Sequence, residues 1–68
     1  MTRFIEIIKN TLILKKQALE VELEENINTT EGNVQERVDK CVKTLESITD
    51  INNIQKTLES YINNNNKQ

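Results

Sequence analysis

The residues most able to do chemistry are a run of glutamates and one cysteine. Glu20, Glu22, Glu24 and Glu25 fall close together, and carboxylate oxygens are ligands that Ca²⁺ prefers. Calcium loops arrange such oxygens around a sharp turn, whereas this run has no glycine or proline and suits a helix. We therefore expect a solvated acidic face, and the sequence predicts no metal site.

Cys41 is the only cysteine, and the chain has no histidine. A reactive thiol needs a neighbouring base or cation to lower its pKa, and histidine usually supplies that function. Cys41 also falls on an apolar stripe, so it is predicted to be a small buried residue. No phosphate-binding loop, carboxylate pair or nucleophile triad can be assembled. The chain is therefore predicted to be non-enzymatic, with no catalytic residues, no cofactor and no small-molecule substrate.

The charge is unevenly distributed, which bears on the class of partner. The net charge is −2, with +3 over residues 1–19, −6 over residues 20–36 and +1 over the remainder. A nucleic-acid face would need a basic patch, so a nucleic-acid partner is not expected. The two aromatic residues, Phe4 and Tyr61, are better suited to packing than to base stacking.

The first apolar segment does not resemble a membrane span. It is interrupted by Glu6, Lys9 and Asn10 and is much shorter than the roughly 20 apolar residues that cross a bilayer. It also lacks the cleavage site of a secretory signal. We therefore expect a cytoplasmic protein with a reduced cysteine, in which the sequon at Asn28 is a chance match.

The first helix is predicted over about residues 2–26. At 100° per residue its apolar side chains form two adjacent stripes. The first stripe contains Ile5, Ile8, Leu12, Leu19 and Leu23, and the second contains Phe4, Ile7, Leu14, Ala18 and Val21. Together they cover about half of the circumference, which is more than one neighbouring helix requires. This helix is therefore expected to contact two neighbours.

A polar loop is predicted over residues 27–33, with Gly32 near its end. Asn33 followed by Glu36 fits a capping box for the next helix, and Thr30 is the alternative cap. A connection of this length makes the flanking helices antiparallel neighbours. The sequence therefore predicts an all-α helical hairpin, similar to a coiled coil.

The second helical segment carries two apolar seams thirteen positions apart. The first contains Val34, Val38, Cys41, Leu45 and Ile48, and the second contains Ile51, Ile54, Leu58 and Tyr61. Thirteen residues turn a continuous helix by about 220°, so the two seams cannot face the same neighbour. Thr49 and Asp50 are poor interior residues and good caps, which favours a break or kink there. The alternative is a continuous helix whose second seam faces another partner.

The break would give helices over about residues 34–48 and 51–62, within a single domain of residues 1–63. Residues 64–68 are polar and repetitive, and they are expected to be disordered. The predicted core consists of Leu12, Leu19, Leu23, Val38, Leu45 and Leu58.

Association is expected because a chain of 68 residues buries only a small core. A first helix of about 36 Å would outrun a second helix of about 22 Å, leaving its N-terminal end uncovered. The predicted interface contains Phe4, Ile5, Ile7, Ile8, Leu12, Leu14, Ile54, Leu58 and Tyr61. A homodimer of the four-helix-bundle type is favoured, with antiparallel first helices, because basic starts then meet acidic ends.

These features predict a small protein–protein interaction module, such as an accessory chaperone, adaptor or inhibitor. Its partner is a second copy, a helical protein, or both. The alternative is a homodimeric helical-bundle regulator that binds nucleic acid. The size and hairpin pattern fit several groups of small bacterial and phage helical proteins, although no residue motif ties the chain to one of them.

Overall fold

The chain forms two antiparallel helices joined by a short loop. This computed structural model describes residues 2–66, and their side chains as far as residue 64. Helix α1 is Thr2–Asn28 and helix α2 is Val34–Asn66, and the two pack along their length. The described residues contain no strand. The predicted all-α hairpin is confirmed.

The loop ends at one of the two predicted caps. The Thr29 N–H donates to the Glu25 carbonyl at 3.0 Å as α1 ends, and Gly32 has a φ of 90°. This left-handed conformation favours glycine, because a Cβ atom would be strained there. The Gln35 N–H then donates to Asn33 Oδ1 at 2.7 Å, so Asn33 is the N-cap of α2. Of the two caps considered, the structure therefore selects Asn33.

Helix α2 does not break. It continues through Thr49 and Asp50 to Asn66, so the expected third helix over residues 51–62 is part of α2. Each of those two residues costs a helix interior only about 0.5 kcal/mol, less than the cost of exposing several backbone groups at a new pair of ends. The tail predicted to be disordered is helical as far as Asn66, and its last two residues lie outside the described residues.

The length of α2 also removes the expected overhang of α1. With 33 residues against 27, α2 is the longer helix, at about 50 Å against about 40 Å. Its C-terminal half lies beside the first turns of α1, where Lys9 Nζ lies 3.4 Å from Glu59 Oε1. The prediction that the N-terminal end of α1 extends beyond α2 is therefore wrong.

On α1, the first apolar stripe packs against α2 as predicted. Leu12 is buried with 8% of its surface exposed, and the other members are half-buried, namely Ile5, Ile8, Leu19 and Leu23. Their spacing places them on one side of the helix, which is the side that α2 covers. Of the predicted core positions on α1, Leu12 is confirmed, and Leu19 and Leu23 are half-buried on the same side.

On α2, the side chains that face α1 form a third line that neither predicted seam describes. This contact line contains Arg37, Cys41, Thr44, Ile48, Ile51, Gln55, Leu58 and Ile62. Its heptad spacing is unbroken along α2. Ile51 is 8% exposed and Thr44 only 5%, and the Thr44 hydroxyl donates to the Lys40 carbonyl at 3.0 Å. The contact line therefore mixes apolar with polar residues.

The contact line lies between the two predicted seams. A rotation of 220° is the same as 140° in the opposite sense, and the line bisects that angle at about 70° from each seam. It takes Cys41 and Ile48 from the first seam and Ile51 and Leu58 from the second. Leu58, a predicted core residue, is half-buried on this line. The core prediction is wrong for Val38 and Leu45, because the rotation of α2 that places the contact line against α1 leaves them exposed.

Candidate interaction surfaces

The nine residues predicted to form an interface fall into two groups. Ile5, Ile8, Leu12 and Leu58 lie between the helices, where they hold the hairpin together. The other five have between 49% and 68% of their surface exposed, namely Phe4, Ile7, Leu14, Ile54 and Tyr61. The structure therefore assigns the first group to packing and leaves the second available for contact.

The exposed group lies on one side of the hairpin. A shallow groove of about 480 Å³ there is lined by residues of both helices, among them Lys15, Ala18, Asp50 and Ile54. At 100° per residue, Phe4 on α1 and Tyr61 on α2 project on the same side as this groove. We call the surface formed by Phe4, Ile7, Leu14, Ala18, Val21, Ile54 and Tyr61 the front face.

A second apolar surface lies on the opposite side of the hairpin, and it includes a groove close to the loop. Its groove of about 290 Å³ is lined by Ile27, Val34, Val38 and Val42, together with Asn26, Arg37 and Cys41. We call the surface formed by Ile13, Ile27, Val34, Val38, Val42 and Leu45 the back face, all of whose members are exposed. The sequence pattern did not assign Ile13 or Ile27 to a surface, and it predicted that Val38 and Leu45 belong to the core.

The positions of the two seams on α2 explain why both faces are apolar. The first seam lies on one side of the contact line and the second seam lies on the other side. The outer members of the first seam, such as Val38 and Leu45, therefore belong to the back face. The outer members of the second seam, Ile54 and Tyr61, belong to the front face. The thirteen-residue offset was the signal that could have revealed both faces.

The loop end also holds a polar cleft of about 330 Å³. It is lined by Glu25, Glu31 and Glu36 together with Arg37, Lys40 and loop residues. Basic residues of α2 therefore lie beside the acidic end of α1, where they offset part of its unfavourable interaction with the helix dipole. The Nε atom of Arg37 is buried and has no hydrogen-bond partner among the described atoms.

The other described side chains that could take part in chemistry do not come together in a site. Cys41 is half-buried against α1, as its apolar position predicts. Among residues 2–66, no group of three or more acidic, cysteine or histidine side chains could hold a metal ion. Over the same range, neither helix is long and apolar enough to cross a membrane.

The hairpin exposes more surface than a globular protein of the same mass. A folded monomer of 7.9 kDa exposes about 4,400 Å² on the scaling that holds for globular proteins. This chain exposes 5708 Å². Its radius of gyration of 16.0 Å also exceeds the roughly 11 Å expected of a compact domain of this length. The hairpin therefore carries about 1,300 Å² more surface than a globular chain of its mass.

No protein-family model matches the chain, and no significant match is found among curated proteins or solved structures.

Proposed function

We propose that this protein is a small interaction module that acts through its exposed apolar helix faces. It would serve as an accessory chaperone, adaptor or inhibitor by covering an apolar helix of another protein chain. The observation that supports the proposal is the imbalance between core and surface. The large apolar side chains of the described core are Leu12 and Ile51, each 8% exposed, whereas the two faces expose many more.

The shape of the faces favours a helical partner. Each groove is lined by residues of both antiparallel helices, one in the middle of the hairpin and one near the loop. An amphipathic helix fits such a groove with residues spaced three and four apart along its sequence. Burying one large apolar side chain of either face would contribute about 1.5–3 kcal/mol. Contiguous apolar patches of this kind mark interaction sites in soluble proteins.

Photo-crosslinking in the native cell tests this proposal. A photoreactive phenylalanine analogue would replace Tyr61 on the front face, Val38 on the back face, or Asn53. Asn53 is the matched control because it is exposed and lies on the side of α2 opposite the contact line. We expect adducts with another protein chain from Tyr61, Val38 or both, and none from Asn53.

Adduct masses identify the partner, with a second copy of this chain counted as one possible partner. Equal adduct patterns at all three positions would show that the apolar faces have no special role, and the proposal would then be wrong. The absence of adducts from both faces would have the same consequence.

A further inference from the structure

We propose that the front face binds the front face of a second copy, with the two α1 helices antiparallel across a twofold axis. This inference rests on the proposed function, since it takes the front face to be a contact surface and names its occupant. The back face stays exposed in this dimer and remains available to a different protein.

The outer stripe of α1 has the spacing of a coiled-coil seam. Steps of three and four residues alternate along Phe4, Ile7, Thr11, Leu14, Ala18 and Val21. When the stripes of two copies run in opposite directions, each residue of one stripe lies opposite a residue of the other. Phe4 then lies opposite Val21 of the second copy, Ile7 opposite Ala18, and Thr11 opposite Leu14. Each pair joins a larger side chain to a smaller one, so the layers have similar volumes.

The position of Ile54 supports the same axis independently. The midpoint of the stripe lies between Leu12 and Ile13, and Ile54 shares the front groove with Leu12. A twofold axis at that level brings Ile54 next to Ile54 of the second copy. An isologous interface needs such self-complementary contacts at its axis. Ile54 is therefore an apolar residue of α2 at the level of the axis, where a self-complementary contact is needed.

Charge at the edge of the stripe selects the antiparallel direction. Arg3 and Glu24 lie on the same flank of the stripe, near its two ends, and both are exposed. Antiparallel pairing places Arg3 within one turn of Glu24 of the second copy, and it does so twice. Parallel pairing would instead place Arg3 near Arg3 and Glu24 near Glu24. Such rim charges mainly determine orientation.

The exposed area is sufficient for a dimer. A standard protein–protein interface buries about 800 Å² per partner, and this chain exposes about 1,300 Å² more than a globular monomer of its mass. A contact from Phe4 to Val21 extends over about 26 Å, or most of α1. The dimer would thus cover most of the surplus and leave the back face uncovered.

Sedimentation equilibrium of the full chain, from 1 to 100 µM, tests the pairing with a matched pair of variants. Leu14→Glu should weaken the dimer at least ~100-fold, because it places two carboxylates in one apolar interface. Ile13→Glu is the control, since it makes the same charge change one residue away, on the back face. We expect its dimer to match that of the parent. Circular dichroism would confirm that both variants are helical.

A disulfide experiment tests the orientation. One chain would carry Phe4→Cys and the other Val21→Cys, both with Cys41→Ser, and the mixture would be oxidised. Antiparallel pairing predicts that the mixed disulfide predominates over the two self-disulfides. Predominance of the self-disulfides would overturn the antiparallel arrangement.

The outcomes separate this inference from the proposed function. A parent chain that stays monomeric at 100 µM overturns the dimer, and so does a dimer that Leu14→Glu leaves unchanged. In either case the proposed function stands if crosslinking at Tyr61 or Val38 still captures a different protein. Both fail when Tyr61 and Val38 capture nothing, or capture no more than Asn53 does.

Discussion

The two ends of the hairpin are built differently. At the open end, where α1 starts and α2 finishes, the contact between helices is apolar on both sides, with Ile5 and Ile8 on α1 and Leu58 and Ile62 on α2. At the loop end, α2 presents Arg37, Cys41 and Thr44 to α1, while Val38 and Leu45 face solvent. At the open end, α2 thus places Leu58 and Ile62 against α1 while Ile54 and Tyr61 stay exposed, whereas at the loop end its valines and Leu45 are all exposed.

This difference shows how a single helix divides its apolar residues between folding and contact. The contact line cannot satisfy both seams, and its apolar residues are concentrated from Ile48 to Ile62. Hairpin stability should therefore come mainly from the middle and the open end. The loop end keeps its valines exposed, and the hairpin is held there by the covalent connection and by the cap at Asn33.

The largest expected effect compares one leucine from the contact region with one from the back face. Leu12→Ala should lower the free energy of unfolding by about 2–4 kcal/mol, because it removes a buried side chain. Leu45→Ala should lower it by about 1 kcal/mol or less, since about half of Leu45 is already exposed. Urea titrations at equal protein concentration measure both values. Equal losses would contradict the contact line on α2.

The second-largest effect is expected from an insertion that removes the thirteen-residue offset between the two seams of α2. Insertion of one alanine between Thr49 and Asp50 makes the spacing fourteen residues and brings the seams to within about 40° of each other. Val38, Leu45 and Ile54 could then face α1 together, and the free energy of unfolding should rise by about 2 kcal/mol. Thr49→Ala is the control for helix propensity alone. A stability no higher than that of this control would show that phase does not decide the packing.

A smaller effect is expected from a polar residue of the contact line. Gln55 is half-buried between the helices, and Gln55→Leu should raise the free energy of unfolding by about 1 kcal/mol. Asn53→Leu makes a similar change on the side facing away from α1, where little gain is expected. Thermal melts monitored by circular dichroism compare the two variants. A gain from Asn53→Leu that equals the gain from Gln55→Leu would place the contact line elsewhere.

The smallest effect concerns the ion pair at the open end. Lys9 and Glu59 are 3.4 Å apart, but their side chains are 43% and 55% exposed. A double-mutant cycle with Lys9→Met and Glu59→Gln should give a coupling energy of about 0.5 kcal/mol or less, and it should fall with added salt. A coupling above 1 kcal/mol would mean that charge, and not apolar contact, holds the open end together.

Much of α1 and the loop could be predicted because local rules suffice there. The stripe from Ile5 to Leu23 has one phase, so every member points to the same neighbour whatever that neighbour is. The cap at Asn33 depends on a side chain and a backbone N–H two residues apart. Helix α2 could not be predicted in the same way, because two seams of similar length compete for one neighbour and local propensity does not rank them.

The candidate surfaces show the same division. Phe4, Ile7 and Leu14 were expected at an interface, and their exposure follows from the phase of their own stripe. The expected overhang of α1 is not the cause of that exposure, however, because α2 covers the full length of α1. The back face was not foreseen, since it exists only when α2 is continuous and rotated between its seams.

The helical hairpin, the polar loop and the inward and outward stripes of α1 could be predicted from the sequence alone, with Asn33 and Thr30 as alternative caps. All of these depend on residues within a few turns of one another. Only the tertiary structure decided that α2 is unbroken, that Thr44 is buried and that Leu45 is exposed. The physical reason is rigidity, because a continuous helix has one rotation about its axis, and packing against α1 sets that rotation for both halves of α2 at once.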